Sequence, residues 1–274
     1  MPASAAPRRA AVLGHPIAHS LSPVLHHAAY AELGLDWTYD RIDVTGDDLG
    51  RFLDSLDASW VGLSLTMPLK NDVLPLLDDV DPVALATGAV NTVVLAPGRR
   101  SGFNTDVDGI VVSLDQTDAG HGPAVVLGAG ATARSAVAAL AERGTPRVTA
   151  HVRRPEAATD LVRTAAAVGI ELEIRPWSEA AVSLGADVVI STVPSGVADE
   201  LASLVPDAPG TLLDVVYDPW PTALASAWLQ HGGAVASGLD LLLHQAVRQV
   251  RLMTGREPST EVLRAALVAA AAAR

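Results

Sequence analysis

"PAVVLGAGATARSAVAALAERG", residues 123–144, decides the fold. It reads as an apolar strand, a tight glycine turn and an Ala-rich helix. That unit is the repeating piece of a parallel α/β sheet. The turn, "GAGATA" at 128–133, fits G-x-G-x-x-A. In this pattern Gly128 allows the tight turn and Gly130 lets a pyrophosphate approach the backbone at the helix N-terminus. The last position accepts Ala for close packing of helix on strand. A turn with no ligand is the competing explanation in a chain rich in Ala and Gly. The placement between strand and helix favours a dinucleotide.

The next strand, "RVTAHVRR" (147–154), selects the cofactor. An NAD site calls for Asp or Glu at its end, to hold the ribose 2′-hydroxyl. Here the strand ends Val152-Arg153-Arg154. Two guanidiniums and no carboxylate suit a 2′-phosphate, so NADP is expected, with Arg153 the better placed. Arg134, in the first turn of the glycine-loop helix, is a further phosphate candidate. Downstream, "ELEIRP", "DVVISTV", "TLLDVVYDP" and "AVAS" continue as strands with helical segments between most of them.

Upstream the same alternation has already run once. "AAVLG" (10–14) reads as a strand, and "SPVLHHAAYAELG" (22–34) as a helix with Ser22 as cap, Pro23 in the first turn and Gly34 as stop. The strand "WTYDRIDV", the helix "DDLGRFLDSL" and the strand "WVGLSLTMP" (60–68) follow. "AVNTVVLAPG" and "RRSGFNTD" form a hairpin around Gly98. Two helices close the chain after Gly238. The fold class is therefore α/β, with mostly parallel sheets. Residues 1–106 form one domain, completed by the helices at 239–274, and residues 107–238 form a Rossmann-type dinucleotide domain. A cleft between the two is the expected place for a substrate.

Composition narrows the function classes. With a net charge of −12 the chain lacks the basic face that nucleic acid requires. It has no cysteine, which excludes disulfides and thiolate metal sites. No apolar run reaches the roughly 18 residues of a membrane span. The opening "MPASAAPRRA" reads as a frayed terminus and not as a targeting peptide. Histidines 15, 19, 26 and 27 lack supporting cysteine or carboxylate spacing, and 26 and 27 point different ways on a helix, so no metal is expected.

"SLTMPLKND" (64–72) holds Lys70, the single lysine among eighteen arginines. Arginine stays charged; lysine can give up its proton when a site desolvates it, and so can serve as an acid or base. The three asparagines, Asn71, Asn91 and Asn104, all fall within the next 34 residues, and Asn104 stands near Asp106. Short amides, hydroxyls and a carboxylate where strands end suit a small hydroxyl-rich ligand. Turn chemistry explains any one of them, and explains the whole set less well.

Several motifs in order carry a resemblance along nearly the whole chain. They are "GHPIAHSLSPVLHHAAY" (14–30), "GLSLTMPLK" (62–70), "GAVNT" (88–92), "GFNTDVDG" (102–109), "GAGATARS" (128–135), "DVVYDPWPT" (214–222) and "GLDLLLHQAV" (238–247). In these the chain resembles the shikimate dehydrogenases, which reversibly reduce 3-dehydroshikimate to shikimate with NADPH on the route to aromatic amino acids. The resemblance implies Lys70 and Asp106 as the catalytic pair. It implies Ser20 and Ser22 at the substrate carboxylate with Tyr217 nearby, and Thr66, Asn91 and Gln245 at ring hydroxyls. It places Gly128, Ala129, Gly130 and Ala131 around the pyrophosphate, Arg153 on the 2′-phosphate, and Thr192, Val216 and Gly238 beside the nicotinamide.

The chain also departs from the family. Members often read Asn-Val-Thr where this sequence has Ser64-Leu65-Thr66, and Asn where it has His27. Their Asn-Arg-Thr is Val152-Arg153-Arg154 here, and Asn-Ala-Thr near residue 190 is Ile-Ser-Thr. The nearest rival is a quinate/shikimate dehydrogenase, against which the compact Ser20-x-Ser22 hydroxyls argue. A rival of another class is a catalytically silent NADP-binding sensor, against which Lys70 and Asp106 argue. A cytoplasmic setting follows from the lack of signals and the family's pathway. Monomer and homodimer are both compatible with the sequence.

Overall fold

The computed structural model describes residues 7–273. Met1–Ala6, part of the stretch read as a frayed terminus, lie outside those residues. Arg8, Arg9 and Ala10 of the same stretch already belong to the first strand. The chain divides into two compact units. The first gathers the chain up to Leu85, Ala89–Thr105 and the chain from Leu243 onward; the second takes Ala86–Gly88 and Asp106–Leu242.

The first unit runs β1 (Arg8–Gly14), α1 (Ser22–Glu32), β2 (Trp37–Asp43), α2 (Gly46–Asp54), β3 (Trp60–Leu65), α3 (Leu69–Asp72), β4 (Asp79–Val80), α4 (Pro82–Thr87), β5 (Thr92–Ala96) and β6 (Arg99–Phe103). The sheet order is β2-β1-β3-β5-β6-β4. β1 pairs in parallel with β2 and β3, whereas β5 is antiparallel to β3 and β6, so this sheet is mixed. The hairpin between β5 and β6 turns at Gly98, whose φ of +68° is one that glycine adopts without strain. All six residues of β3 are buried. A central strand covered on both faces has no alternation to show, and "WVGLSL" has none.

α2 buries Leu49 and Leu53, one turn apart, into a core with Leu13, Leu63, Leu69 and Val90. Each fully buried leucine contributes roughly 1.5–3 kcal/mol, so truncating Leu49 to Ala costs about 2–5 kcal/mol once the cavity is included. The sequence places the α1 cap at Ser22, but the helix already begins there and Leu21 takes the cap position. The Ser22 N–H instead donates to Ser20 Oγ at 3.3 Å, so the upstream serine does the capping.

The second unit holds α5 (Thr105–Asp115) from Asp106 on, then β7 (Ala124–Leu127), α6 (Ala131–Glu142), β8 (Arg147–Val152), α7 (Thr159–Val168), β9 (Glu171–Pro176), β10 (Val188–Ser191), β11 (Thr211–Asp214), α8 (Ala223–Gln230) and β12 (Ala234–Ser237). The order is β12-β11-β10-β7-β8-β9 and every pair is parallel. Strand order reverses at β7 and β10, the switch point where ligands of open α/β sheets bind. Ala133–Leu140 are all buried, because the small side chains of α6 let it lie tight on the sheet. Trp228 is fully buried on the other side, and its indole N–H donates to the Gly210 carbonyl at 2.9 Å. Finally α9 (Gly238–Thr254) carries the chain back into the first unit, and α10 (Thr260–Ala272) packs on α1. Among the described residues no helix is long and apolar enough to cross a membrane.

Candidate active site

In the first unit Ser20, Ser22, Thr66 and Lys70 follow the carboxyl ends of β1 and β3, Asn91 precedes β5, and Gln245 lies on α9. Thr66 is set by the backbone: its N–H donates to the Leu13 carbonyl at 2.9 Å. Gly14 makes room for it, since a Cβ there would stand 2.5 Å from Thr66 Cγ2. Lys70 sits half-buried in α3, and its carbonyl accepts from Val90 N–H at 2.8 Å, tying the lysine turn to the segment that leads through Asn91 into β5. Ser20 and Ser22 are buried, and Arg41 Nε holds the Ser20 carbonyl at 2.7 Å. Below them His26 donates from Nδ1 to the Ser22 carbonyl at 2.9 Å and stacks on Tyr39 with ring centroids 3.8 Å apart. Burial pushes the His26 imidazole down to about 4, against the Ser22 hydrogen bond, with His27 adding slightly.

Asn91 is 1% exposed and fully engaged on its oxygen side. Its Oδ1 accepts from Thr92 Oγ1 at 2.9 Å and from the Thr105 N–H at 2.8 Å, and its Nδ2 donates to Gln245 Oε1 at 2.9 Å. Gln245, 154 residues away, thus joins Asn91 as one amide pair. Ser64 lies beneath: it accepts from Tyr39 at 2.6 Å and donates to Gln249 Oε1 at 2.9 Å. The serine standing where relatives often carry Asn is therefore built into the interior. Tyr39 and Gln249 escaped the sequence reading, because hydrogen-bond partners so far apart leave no spacing signal.

A larger cavity of about 520 Å³ opens at the other end of this sheet, among Arg8, Asp57, Trp60, Asp78, Arg99 and Arg100. Its arginines are already held: Arg8 by the Ala58 carbonyl, Arg99 by Asp79 and Arg100 by Asp54. It faces the amino ends of β1 and β3, whereas open α/β sheets bind ligands at the carboxyl ends.

In the second unit the glycine turn lines a cavity of about 340 Å³ with His151, Arg153, Arg154, Trp177, Thr192 and Val193. Among the described residues no carboxylate lines it. Three predicted glycines separate here by physical cause. Gly128 has φ +116°, and a Cβ on it would meet Thr192 Oγ1 at 2.5 Å. Thr192 is held there by its own bond to the Leu127 carbonyl, at 2.8 Å. A Cβ on Gly238 would lie 2.1 Å from the Val215 carbonyl oxygen, so the backbone itself requires that glycine. Gly130 has an ordinary φ of −77° and is exposed, and a Cβ there meets nothing within 4 Å. Its place is the N-cap of α6 in the wall of this cavity, where first-turn N–H groups lack an intrahelical acceptor. Ala129 and Ala131 flank it, half-buried.

Arg134 corrects its sequence reading. The side chain is 5% exposed and turned away from the phosphate position: Nε donates to the Thr87 carbonyl at 2.6 Å and Nη2 to the Gly88 carbonyl at 3.2 Å. Asp106 is buried in the first turn of α5. Val216 and Tyr217 follow β11, where the Val216 N–H donates to Asp214 Oδ1 at 3.2 Å. Burial raises the Asp214 carboxyl, opposed by hydrogen bonds from Thr222, Val216 and Ser191 and reinforced by Asp199. His26 is buried and His27 exposed, as expected of neighbours that point different ways on a helix.

Comparison with known proteins agrees with this geometry. Residues 12–93 match the family described as shikimate dehydrogenase substrate binding domain, and 238–268 match the shikimate 5'-dehydrogenase C-terminal domain. Residues 124–216 match the family described as NADP oxidoreductase coenzyme F420-dependent. The shikimate dehydrogenase (NADP(+)) of Moorella thermoacetica is 39% identical over 92% of this chain and 90% of its own length. The crystal structure of shikimate 5-dehydrogenase from Thermus thermophilus in complex with NADP(H) and shikimate is 35% identical, with a TM-score of 0.85 over 96% of this chain and 99% of that one. The quinate dehydrogenase of Corynebacterium glutamicum, in complex with NAD, is 30% identical with a TM-score of 0.88, over 96% and 99%. A relative 39% identical and matched over nine-tenths of both chains shows that this chain belongs to the shikimate dehydrogenase family.

Proposed function

We propose that the chain interconverts 3-dehydroshikimate and shikimate with NADP(H), using Lys70 and Asp106 to handle the proton. The observation that carries this is the 39% identity over 92% of the chain to a relative named for that activity and cofactor. The arginine-lined cavity beside Gly130, with no carboxylate among the described residues that line it, supports NADP. The cofactor, when bound, supplies or accepts a hydride at the ring carbon. Gly128, Ala129, Gly130 and Ala131 would hold its pyrophosphate and Arg153 its 2′-phosphate, with Thr192, Val216 and Gly238 along the nicotinamide.

The chain's own residues orient the ring and move the proton. Ser20 and Ser22 take the substrate carboxylate, with Tyr217 beside it, while Thr66, Asn91 and Gln245 hold ring hydroxyls. In reduction the Lys70 ammonium polarises the ketone and gives its proton to the oxygen; in oxidation the amine takes the hydroxyl proton, directly or through Asp106. The domain assignment of residues 1–106 with 239–274 to substrate, and of 107–238 to NADP, belongs to the same proposal, as does a cytoplasmic setting, which follows from the biosynthetic reaction.

The likeness to a quinate dehydrogenase supports a second reading, in which the substrate carries one more hydroxyl at the carboxylate-bearing carbon. The near-ultraviolet absorbance of the reduced nicotinamide decides between them. Purified protein is offered shikimate or quinate with NADP⁺ or NAD⁺. Reduction of NADP⁺ with shikimate, and little with the other pairings, is expected. Preference for quinate or NAD⁺ selects the second reading. NADP⁺ binding without turnover on either acid overturns both.

A further inference from the structure

Six side chains of the first unit form a hydrogen-bonded row in which every donor points the same way. Tyr39 donates to Ser64 Oγ at 2.6 Å, Ser64 to Gln249 Oε1 at 2.9 Å, and Gln249 Nε2 to Thr92 Oγ1 at 3.1 Å. Thr92 donates to Asn91 Oδ1 at 2.9 Å, and Asn91 Nδ2 to Gln245 Oε1 at 2.9 Å. The first five are buried, with 4% exposure or less, while Gln245 is half-buried. An amide can turn over and exchange its donor and acceptor ends; a hydroxyl can rotate. This row removes that freedom. Tyr39 stands at its head with its phenol proton kept, because burial raises the phenol well above its usual range. Two donors from Thr105, the backbone N–H at 2.8 Å and Oγ1 at 3.1 Å, further pin the Asn91 oxygen. With Gln245 Oε1 occupied by Asn91, what Gln245 turns to its open side is Nε2.

We propose that Thr92 and Gln249 are positioning residues that, together with the Thr105 N–H, hold the Asn91–Gln245 pair in one polarity, so that Gln245 offers N–H donors, and not a carbonyl, to a substrate ring oxygen. The assignment rests on the reading of Asn91 and Gln245 as substrate ligands. It makes the bound ring oxygen an acceptor at this point and sends that oxygen's own proton to another group. Neither Thr92 nor Gln249 touches the substrate in this scheme; each acts through Asn91.

Thr92→Val tests it, since the change keeps the side-chain shape and removes the hydroxyl. Asn91 Oδ1 then loses one of its donors and Gln249 Nε2 its acceptor, so the hold on the pair weakens while the Thr105 N–H still opposes reversal. The KM for shikimate rises about fivefold to tenfold, the range set by one hydrogen bond. kcat stays within about twofold and the KM for NADP⁺ does not move, as befits lost binding without lost chemistry. Thr92→Ser restores the wild-type values. Among shikimate analogues each lacking one ring hydroxyl, the one missing the oxygen held by Gln245 shows no difference between wild type and Thr92→Val. Tyr39→Phe, which removes the head donor in a shape the core accepts, gives a smaller shikimate-only shift of about twofold to threefold and stands in if the valine variant does not fold. An unchanged shikimate KM in folded variants, a matching loss for NADP⁺, or no rescue by serine overturns the assignment. Wild-type protein that does not oxidise shikimate strikes the functional reading first, and the assignment falls with it.

Discussion

His26 makes the stability of the first unit depend on pH in a way that one substitution isolates. The ring is completely buried, its Nδ1 serves the Ser22 carbonyl, and its Nε2 meets no hydrogen-bond partner among the described residues. A second proton has no acceptor to face, and burial lowers the imidazole from 6.5 to about 4. The unfolded chain takes up that proton near pH 6.5 and the native one only near 4, so between those values the unfolded state binds more protons. Stability therefore falls as the pH falls: the contribution is complete above 6.5 and declines by about 1.4 kcal/mol per pH unit below it. It is lost by about pH 4, a total of roughly 3 kcal/mol. His26→Gln keeps a donor for Ser22 and removes the titration. Urea denaturation of both proteins at pH 7.5 and 5.0 should show the wild type losing about 2 kcal/mol more than the variant over that interval, a range in which most carboxylates are still ionised. Equal losses in the two proteins would refute the reasoning, because they would mean that the native ring accepts its proton as readily as the unfolded one.

The remaining predictions concern the cofactor and the proton. Gly130→Ala meets no atom of the protein, so it should leave denaturation within about 0.5 kcal/mol of wild type while weakening NADP⁺ binding at least about tenfold, read by titration calorimetry. Gly128→Ala should do the reverse in part, costing about 1–3 kcal/mol of stability for its φ alone, with the Thr192 contact added. Arg153→Ala should raise the KM for NADP⁺ about tenfold to a hundredfold and leave NAD⁺ nearly unchanged, since only the phosphorylated ribose uses the guanidinium. Lys70→Arg preserves charge and removes the removable proton; turnover should drop by about two decades or more, and near-normal turnover would reject the acid–base assignment.

What could be read in the sequence depended on how far apart the interacting residues lie. The strand–turn–helix at 123–144, the hairpin at Gly98 and the restart of the alternation are local features, and they stand in the structure as read. Lys70 was conspicuous because its residue type is unique in the chain, a compositional signal that needs no fold. Tyr39, Ser64 and Gln249 gave no such signal: the Ser64–Gln249 bond spans 185 residues and the Gln249–Thr92 bond 157. Arg134 shows how a sound local argument fails. A cation in the first turn of a phosphate-binding helix is well placed by position, but side-chain direction is set by tertiary partners, and the carbonyls of Thr87 and Gly88 claim it. The predicted glycines show the converse. Sequence gives Gly128 the tight turn and Gly130 the approach of a pyrophosphate, and places Gly238 through the resemblance alone. In the fold, Gly128 is required by its backbone angle and Gly238 by the Val215 carbonyl, and neither needs a ligand to explain it. Of the three only Gly130 lacks an internal reason; Gly50 and Gly185 are as free of one, so what points Gly130 toward a cofactor is its place at the N-terminus of α6 in the wall of the arginine-bearing cavity.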